Sequence, residues 1–228
     1  MSDGYSEPAV NPLPPVVVAL FIAVVVPEAL FSLGASGVIG GPGAVGWRSA
    51  AIQTYAFSGD IFDWMRSNGV WPGEHLVRFV SYPFVHFSLA HAAIAGVFVL
   101  ALGKMVAEKF GQWQMLAIFV ISGVAGALAY GLFLDAPYPL GGAFPPDYGL
   151  VGAFTFLLWR GLGAVGQNQA RAFTLIGALM GIQLLFGLLF GGTGDWVADL
   201  AGFVTGFALS FVLAPGGWAS IRRRIRHD

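Results

Sequence analysis

Between residues 14 and 213 the apolar positions fall into long blocks separated by short polar or glycine-rich stretches. A membrane-spanning helix needs about 20 predominantly apolar residues. Six blocks meet or approach that length: residues 14–33, 83–106, 115–134, 147–162, 172–190 and 196–213, the fourth being the shortest. After the first block comes a glycine-rich passage, residues 34–46 (GASGVIGGPGAVG). It leads into a mixed segment, residues 47–74, with the charges Arg48, Asp60, Asp63 and Arg66 among the aromatics Trp47, Tyr55, Phe57, Phe62, Trp64 and Trp71. That segment is too charged to span and too aromatic to be a free linker. Trp-rich amphipathic stretches lie at membrane interfaces, so residues 50–66 are predicted to form one or two short interfacial helices. A Pro/Gly-rich loop, residues 135–146 (DAPYPLGGAFPP), separates the third block from the fourth.

Composition turns this pattern into a class. The chain is 57% hydrophobic and only 10% charged, against about a quarter charged in soluble domains. Its 33 glycines suit close helix packing in lipid. An all-α, polytopic membrane protein follows, with a polar tail at residues 1–13, a transmembrane domain at 14–213 and a basic tail at 214–228 ending IRRRIRHD. A net charge of −1 implies no nucleic-acid partner, and no cysteine is present to supply a disulfide, a thiolate ligand or a thiol nucleophile. Residues 1–13 lack the basic start of a signal peptide, so the first block is expected to stay as an uncleaved span. Six spans put both termini on one side. If that side is the cytoplasm, Lys104, Lys109, Arg160, Arg171, Arg222, Arg223, Arg224 and Arg226 lie inside and Arg48, Arg66 and Arg78 outside, as the positive-inside rule requires. The basic tail could also attract anionic lipid, at about 1 kcal/mol per residue near the surface. A short chain of six spans without a targeting segment is expected in a bacterial inner membrane.

Polar residues inside the blocks mark candidate chemistry, because an intramembrane polar group is costly without a partner. His86 and His91 open the second block, whereas His75 and His227 are flanked by charge and expected in solvent. As a metal site the first two lack a third ligand, and no metal or cofactor is implied. Glu28 stands alone in the first block with no evident partner. Asp147 and Asp199 open the fourth and sixth blocks.

Several of these residues stand in ordered motifs. Arg78-Phe79 is followed by the run from Pro83 to His91 (PFVHFSLAH), and Gly103, Glu108 and Gly111 close the same block. Then come Ser122-Gly123-Val124-Ala125-Gly126, Tyr148-Gly149-Leu150-Val151-Gly152-Ala153-Phe154, and Val197 to Gly206 (VADLAGFVTG). In order and spacing this set, covering about residues 75 to 213, resembles the rhomboid family of intramembrane serine proteases. Trp47-Arg48 is similar to a motif of that family's first loop. The resemblance implies a six-helix bundle with a long interfacial first loop, a short fourth helix, an outward-open cavity and a side gate toward lipid. It also places His91 at the oxyanion site and His86 in a structural role.

The family's chemistry does not carry over. Aligned on Tyr148-Gly149, the position matching the serine nucleophile is Phe144, and residues 123–154 contain no Ser, Thr or Cys. Asp199 matches the histidine base, and Ala95 matches an oxyanion-hole Asn. Acyl transfer needs a hydroxyl with a base in hydrogen-bond reach, so no catalytic residue is expected. The resemblance then implies a pseudoprotease that binds transmembrane helices of client or partner proteins without cutting them. The alternatives are an intramembrane protease with displaced chemistry, with Asp147 and Asp199 as a carboxylate pair, and a subunit of a larger membrane complex. Oligomeric state is left open. His86, His91, Asp147 and Asp199 are expected to face one cavity, with Asp199 paired to His91. Gly202 and Gly206 are expected to pack the sixth helix against Gly149 and Gly152 of the fourth.

Overall fold

The structure, a computed structural model, describes residues 12–191 and 194–217. Most of the two expected tails, residues 1–11 and 218–228, lies outside the described residues. In order the helices are α1 (Pro15–Ala35), α2 (Trp47–Tyr55), α3 (Gly59–Asn68), α4 (Gly73–Leu76), α5 (Arg78–Ser81), α6 (Leu89–Phe110), α7 (Gln112–Phe133), α8 (Phe144–Ala164), α9 (Thr174–Phe190) and α10 (Trp196–Leu213). Among the described residues five stretches are long and apolar enough to cross a membrane: α1, α6, α7, α10, and α9 with the 3₁₀ turn before it. The protein is therefore a multi-pass integral membrane protein.

The sixth long helix, α8, is not among those five, and its surroundings give the reason. Every residue from Pro145 to Ala153 is buried. A helix enclosed by other helices needs no lipid-facing apolar surface; it needs small residues that let its neighbours approach. Its main neighbours are α10 and α7, with α6 next, while α1 packs on α6. At the seam with α10 the backbones touch. A Cβ added at Gly202 would fall on the Pro145 carbonyl, one at Gly206 on the Gly149 carbonyl, and one at Gly152 on the Phe203 carbonyl. Gly149, Gly152, Gly202 and Gly206 all lie at this seam.

Local chemistry sets the helix starts. The second apolar run begins at Pro83, yet α6 begins only at Leu89. Residues 82–84 form a 3₁₀ turn, and Ser88 caps α6 with its Oγ accepting the His91 N–H at 3.2 Å. Helix α8 begins three residues earlier than the predicted fourth span, at Phe144. Pro145 and Pro146 sit in its first turn, where a missing N–H costs nothing. Gly111, at φ +103, is the single residue between α6 and α7. Few other residue types tolerate that conformation.

The first loop is fastened at three places. Trp47 lies over Gly34, where an added Cβ would come within 3.2 Å of its ring. The neighbouring Arg48 turns back to α1. Its Nη2 is ion-paired with Glu28 Oε1, its Nε donates to Glu28 Oε2 at 3.2 Å, and Ser32 Oγ donates to Glu28 Oε1 at 3.0 Å. Glu28 is 0% exposed, so this clamp supplies the partner that the sequence left unidentified. Second, Arg78 donates to the carbonyls of Ala56 and Gln53, each at 2.8 Å, tying α5 to the junction of α2 and α3. Third, Phe57 and Leu140 exchange backbone hydrogen bonds at 3.0 and 2.8 Å. That last bridge holds the first loop against the loop that delivers α8.

Candidate functional site

The loop that enters α8 is held from three sides. The Gly142 N–H donates to the Tyr82 carbonyl at 3.0 Å, the Ala143 N–H donates to His86 Nε2 at 3.3 Å, and Tyr130 donates its hydroxyl to the Tyr138 carbonyl at 2.9 Å. His86 is 0% exposed. Because its Nε2 accepts a hydrogen bond, the imidazole is neutral with its proton on Nδ1. His86 thus acts as a strut beneath the loop. Gly142 has φ +92, and a Cβ there would come within 2.5 Å of the His91 ring. Glycine at this point lets His91 approach the backbone.

His91 is enclosed by rings. Phe87 stacks on it at 5.9 Å and 7°, Phe144 leans on it at 4.8 Å and 51°, and His86 meets it edge-on at 5.0 Å. Phe144 also touches Phe98, at 6.5 Å between ring centres. Ala95, one turn beyond His91 on α6, is fully buried. The position matching a nucleophile therefore holds a phenyl ring packed on the histidine that matches an oxyanion donor.

Asp199 does not pair with His91. Its Oδ2 accepts the Gln183 Nε2–H at 2.7 Å, and Gln183 Oε1 accepts the Tyr148 hydroxyl at 3.3 Å. The chain Tyr148–Gln183–Asp199 joins α8, α9 and α10. Two causes defeat the expected pairing. His91 is enclosed by aromatic rings, and α9 brings an amide to Asp199 first. The sequence signal for Gln183 is a lone amide in the middle of an apolar block. Likewise Arg48 was readable as the partner of Glu28 only by treating Trp47-Arg48 and a lone acid of the preceding span as one problem.

Asp147 is 0% exposed, and neither of its carboxylate oxygens has a hydrogen-bond partner within the protein. Asp199 Oδ1 is also without one. The hydroxyls of Ser122 and Thr155 are also buried without a hydrogen-bond partner. The four polar residues expected in one open cavity divide into a histidine pair under the α8 loop and two buried carboxylates. None of the four is among the residues lining the two pockets described next.

These pockets lie elsewhere. One, of about 530 Å³, is apolar and sits between Pro27 and Phe31 of α1, Trp47 and Ala51 of α2, and Phe84. The other, about 540 Å³, runs between the end of α9 and the start of α10, lined by Gln183, Phe186, Leu188, Phe190, Asp195 and Trp196 among others.

Comparison with known proteins places the architecture. A family model described as the Rhomboid domain matches residues 73–216. Inactive rhomboid protein 1 of Danio rerio is 27% identical over 135 residues, covering 58% of this chain and 15% of the relative. RHOMBOID-like protein 6, mitochondrial, of Arabidopsis thaliana is 27% identical over 166 residues, covering 70% and 51%. Rhomboid-like protease 3 of Toxoplasma gondii is 28% identical over 138 residues, covering 59% and 50%. The chain thus spans about half or less of the length of these relatives. Their names include both an inactive member and a protease.

Proposed function

We propose that this chain, which belongs to the rhomboid family, is a pseudoprotease that binds transmembrane helices of client or partner proteins and does not cleave them. The observation that carries the reading is the seating of Phe144 on His91, at 4.8 Å between ring centres. An ester intermediate would need a hydroxyl at that place, with a base beside it. The chain offers a phenyl ring there, and Asp199, the residue matching the base, is bound to Gln183 on another helix. Removing triad members singly already leaves only residual catalysis.

Binding is supported by the way α9 is attached. Ile176 is its only buried residue, while Phe186, Leu188 and Phe190 are 58%, 83% and 76% exposed. In lipid such a face meets either acyl chains or another helix. A helix held this lightly leaves room for a client at its side. The fold we infer has six spans, α8 being the enclosed fourth, with α2 and α3 at the interface. Both termini face the cytoplasm, by the distribution of basic residues. A bacterial inner membrane was the expectation from sequence; the relatives named above are eukaryotic and lend that assignment no support.

The test is affinity purification of the full chain in mild detergent, followed by mass spectrometry. Several membrane proteins in substoichiometric amounts are expected. One stoichiometric partner would instead make the chain a subunit of a fixed complex.

A further inference from the structure

The pocket between α9 and α10 ends on the one side chain that links α9 to the buried acid. Gln183 lines it, and behind Gln183 lies Asp199, which is 1% exposed. Gln183 satisfies only one carboxylate oxygen; Oδ1 is buried without a partner. A buried carboxylate oxygen lacking a donor is strongly unfavourable. Asp195 also lines this pocket. The remaining walls are lipid-like: Leu184, Phe186, Leu188, Phe190 and Trp196, with Gly187, Gly191 and Gly194 leaving room for close backbone approach.

We propose that this groove docks a partner transmembrane helix that carries a Lys or Arg about one turn inside its membrane boundary, with Asp199 as the countercharge. The proposal rests on the reading of the chain as a helix-binding protein and names the feature it selects. Asp199 is the fourth residue of α10, which fixes the depth at which the cation must enter. The apolar walls suit a helix in lipid rather than a soluble amine. The Asp199 carboxylate opposes a helix bearing Asp or Glu at the same depth, and like charges discriminate strongly when desolvated. Gln183 competes for the carboxylate. It holds Asp199 while the groove is empty, and an incoming ammonium or guanidinium, a stronger donor than an amide, takes its place.

The full-length chain, reconstituted at high dilution in phosphatidylcholine vesicles, tests this with labelled polyleucine helices of about 20 residues. One peptide carries Lys one turn from its end, one carries Leu there and one carries Glu, with energy transfer as the readout. The Lys peptide is expected to bind about tenfold tighter than the Leu peptide, the low end of measured buried charge-pair couplings, and the Glu peptide more weakly than either. Asp199→Asn, which still offers an oxygen to Gln183, should abolish the preference. Gln183→Leu, which removes the competing donor, should enlarge it. A merely structural role would move both variants in the same direction. Equal binding of the Lys and Leu peptides to the unaltered chain, or a Lys preference that survives Asp199→Asn, overturns the proposal while leaving helix binding intact. Failure of every peptide to bind would overturn the proposal and the functional reading together.

Discussion

The seam between α8 and α10 and the edge formed by α9 are built on opposite principles. At the seam, glycines bring two backbones into contact, and an added Cβ at Gly202 or Gly206 would fall on a carbonyl of α8. At the edge, a 17-residue helix fully buries one side chain, packs Leu175, Leu179 and Met180 partly on the core, and is hydrogen-bonded to α8 and α10 through one amide, Gln183. In lipid, where burial of apolar surface does not drive helix association, close packing and polar contacts must do so. The first region uses packing at high density. The second uses one polar link and leaves most of its surface uncovered. The seam packs two helices backbone to backbone beside Phe144, which opens α8, and Asp199, in the first turn of α10. Freedom is kept at the place where another helix can approach.

The largest effect should come from the seam. Gly206→Leu forces a side chain onto the Gly149 carbonyl, which has no rotamer by which to yield. A loss of about 3 kcal/mol or more is expected, at the top of the range for overpacking, read as lost thermal stability of the detergent-solubilised chain. Tolerance of leucine at this position would contradict the backbone contact. Next comes the clamp on the first loop. Arg48→Ala leaves Glu28 buried without its countercharge, at a cost of about 3 kcal/mol, the low end for breaking a buried pair, since Arg48 is itself partly exposed. Arg48→Ala combined with Glu28→Leu should recover most of that stability, which a purely steric role for Arg48 would not allow. The smallest effect belongs to the edge. Gln183→Leu should cost about 2 kcal/mol, within the range for leaving a buried acceptor without its donor. Amide hydrogen exchange should rise in α9 and stay unchanged across α8 and α10. Equal acceleration in all three helices would show that α9 is part of the rigid body.

The two regions were also unequally legible in the sequence. The seam could be read because its signal is local: glycines four apart on one helix face a matching pair on the other, and the ordered motifs set which helices meet. His86 as a structural histidine was legible for the same reason, standing in a motif at fixed spacing. The partners of the lone charges were not. Glu28 and Arg48 are 20 residues apart and lie on different helices, and nothing in the run between them sets the direction in which Arg48 points. Asp199 was assigned to His91 because both matched one site in the resemblance. The outcome turned on a tertiary fact, the ring packing of Phe87 and Phe144 around His91, which no periodicity encodes. The hydropathy pattern made α8 look like a short span because it is the enclosed helix. Its small and polar residues answer to neighbours rather than to lipid.

The central claim, that the retained architecture binds without cutting, is tested most directly by a cleavage assay. The full-length chain, reconstituted with a helix-destabilised transmembrane substrate, would be followed by mass spectrometry with the chain in excess over substrate. No cleavage product is expected from the unaltered chain, nor from Phe144→Ser, since a serine there would still lack a histidine base and the oxyanion Asn. Cleavage by the unaltered chain that disappears on Asp199→Ala would contradict the account.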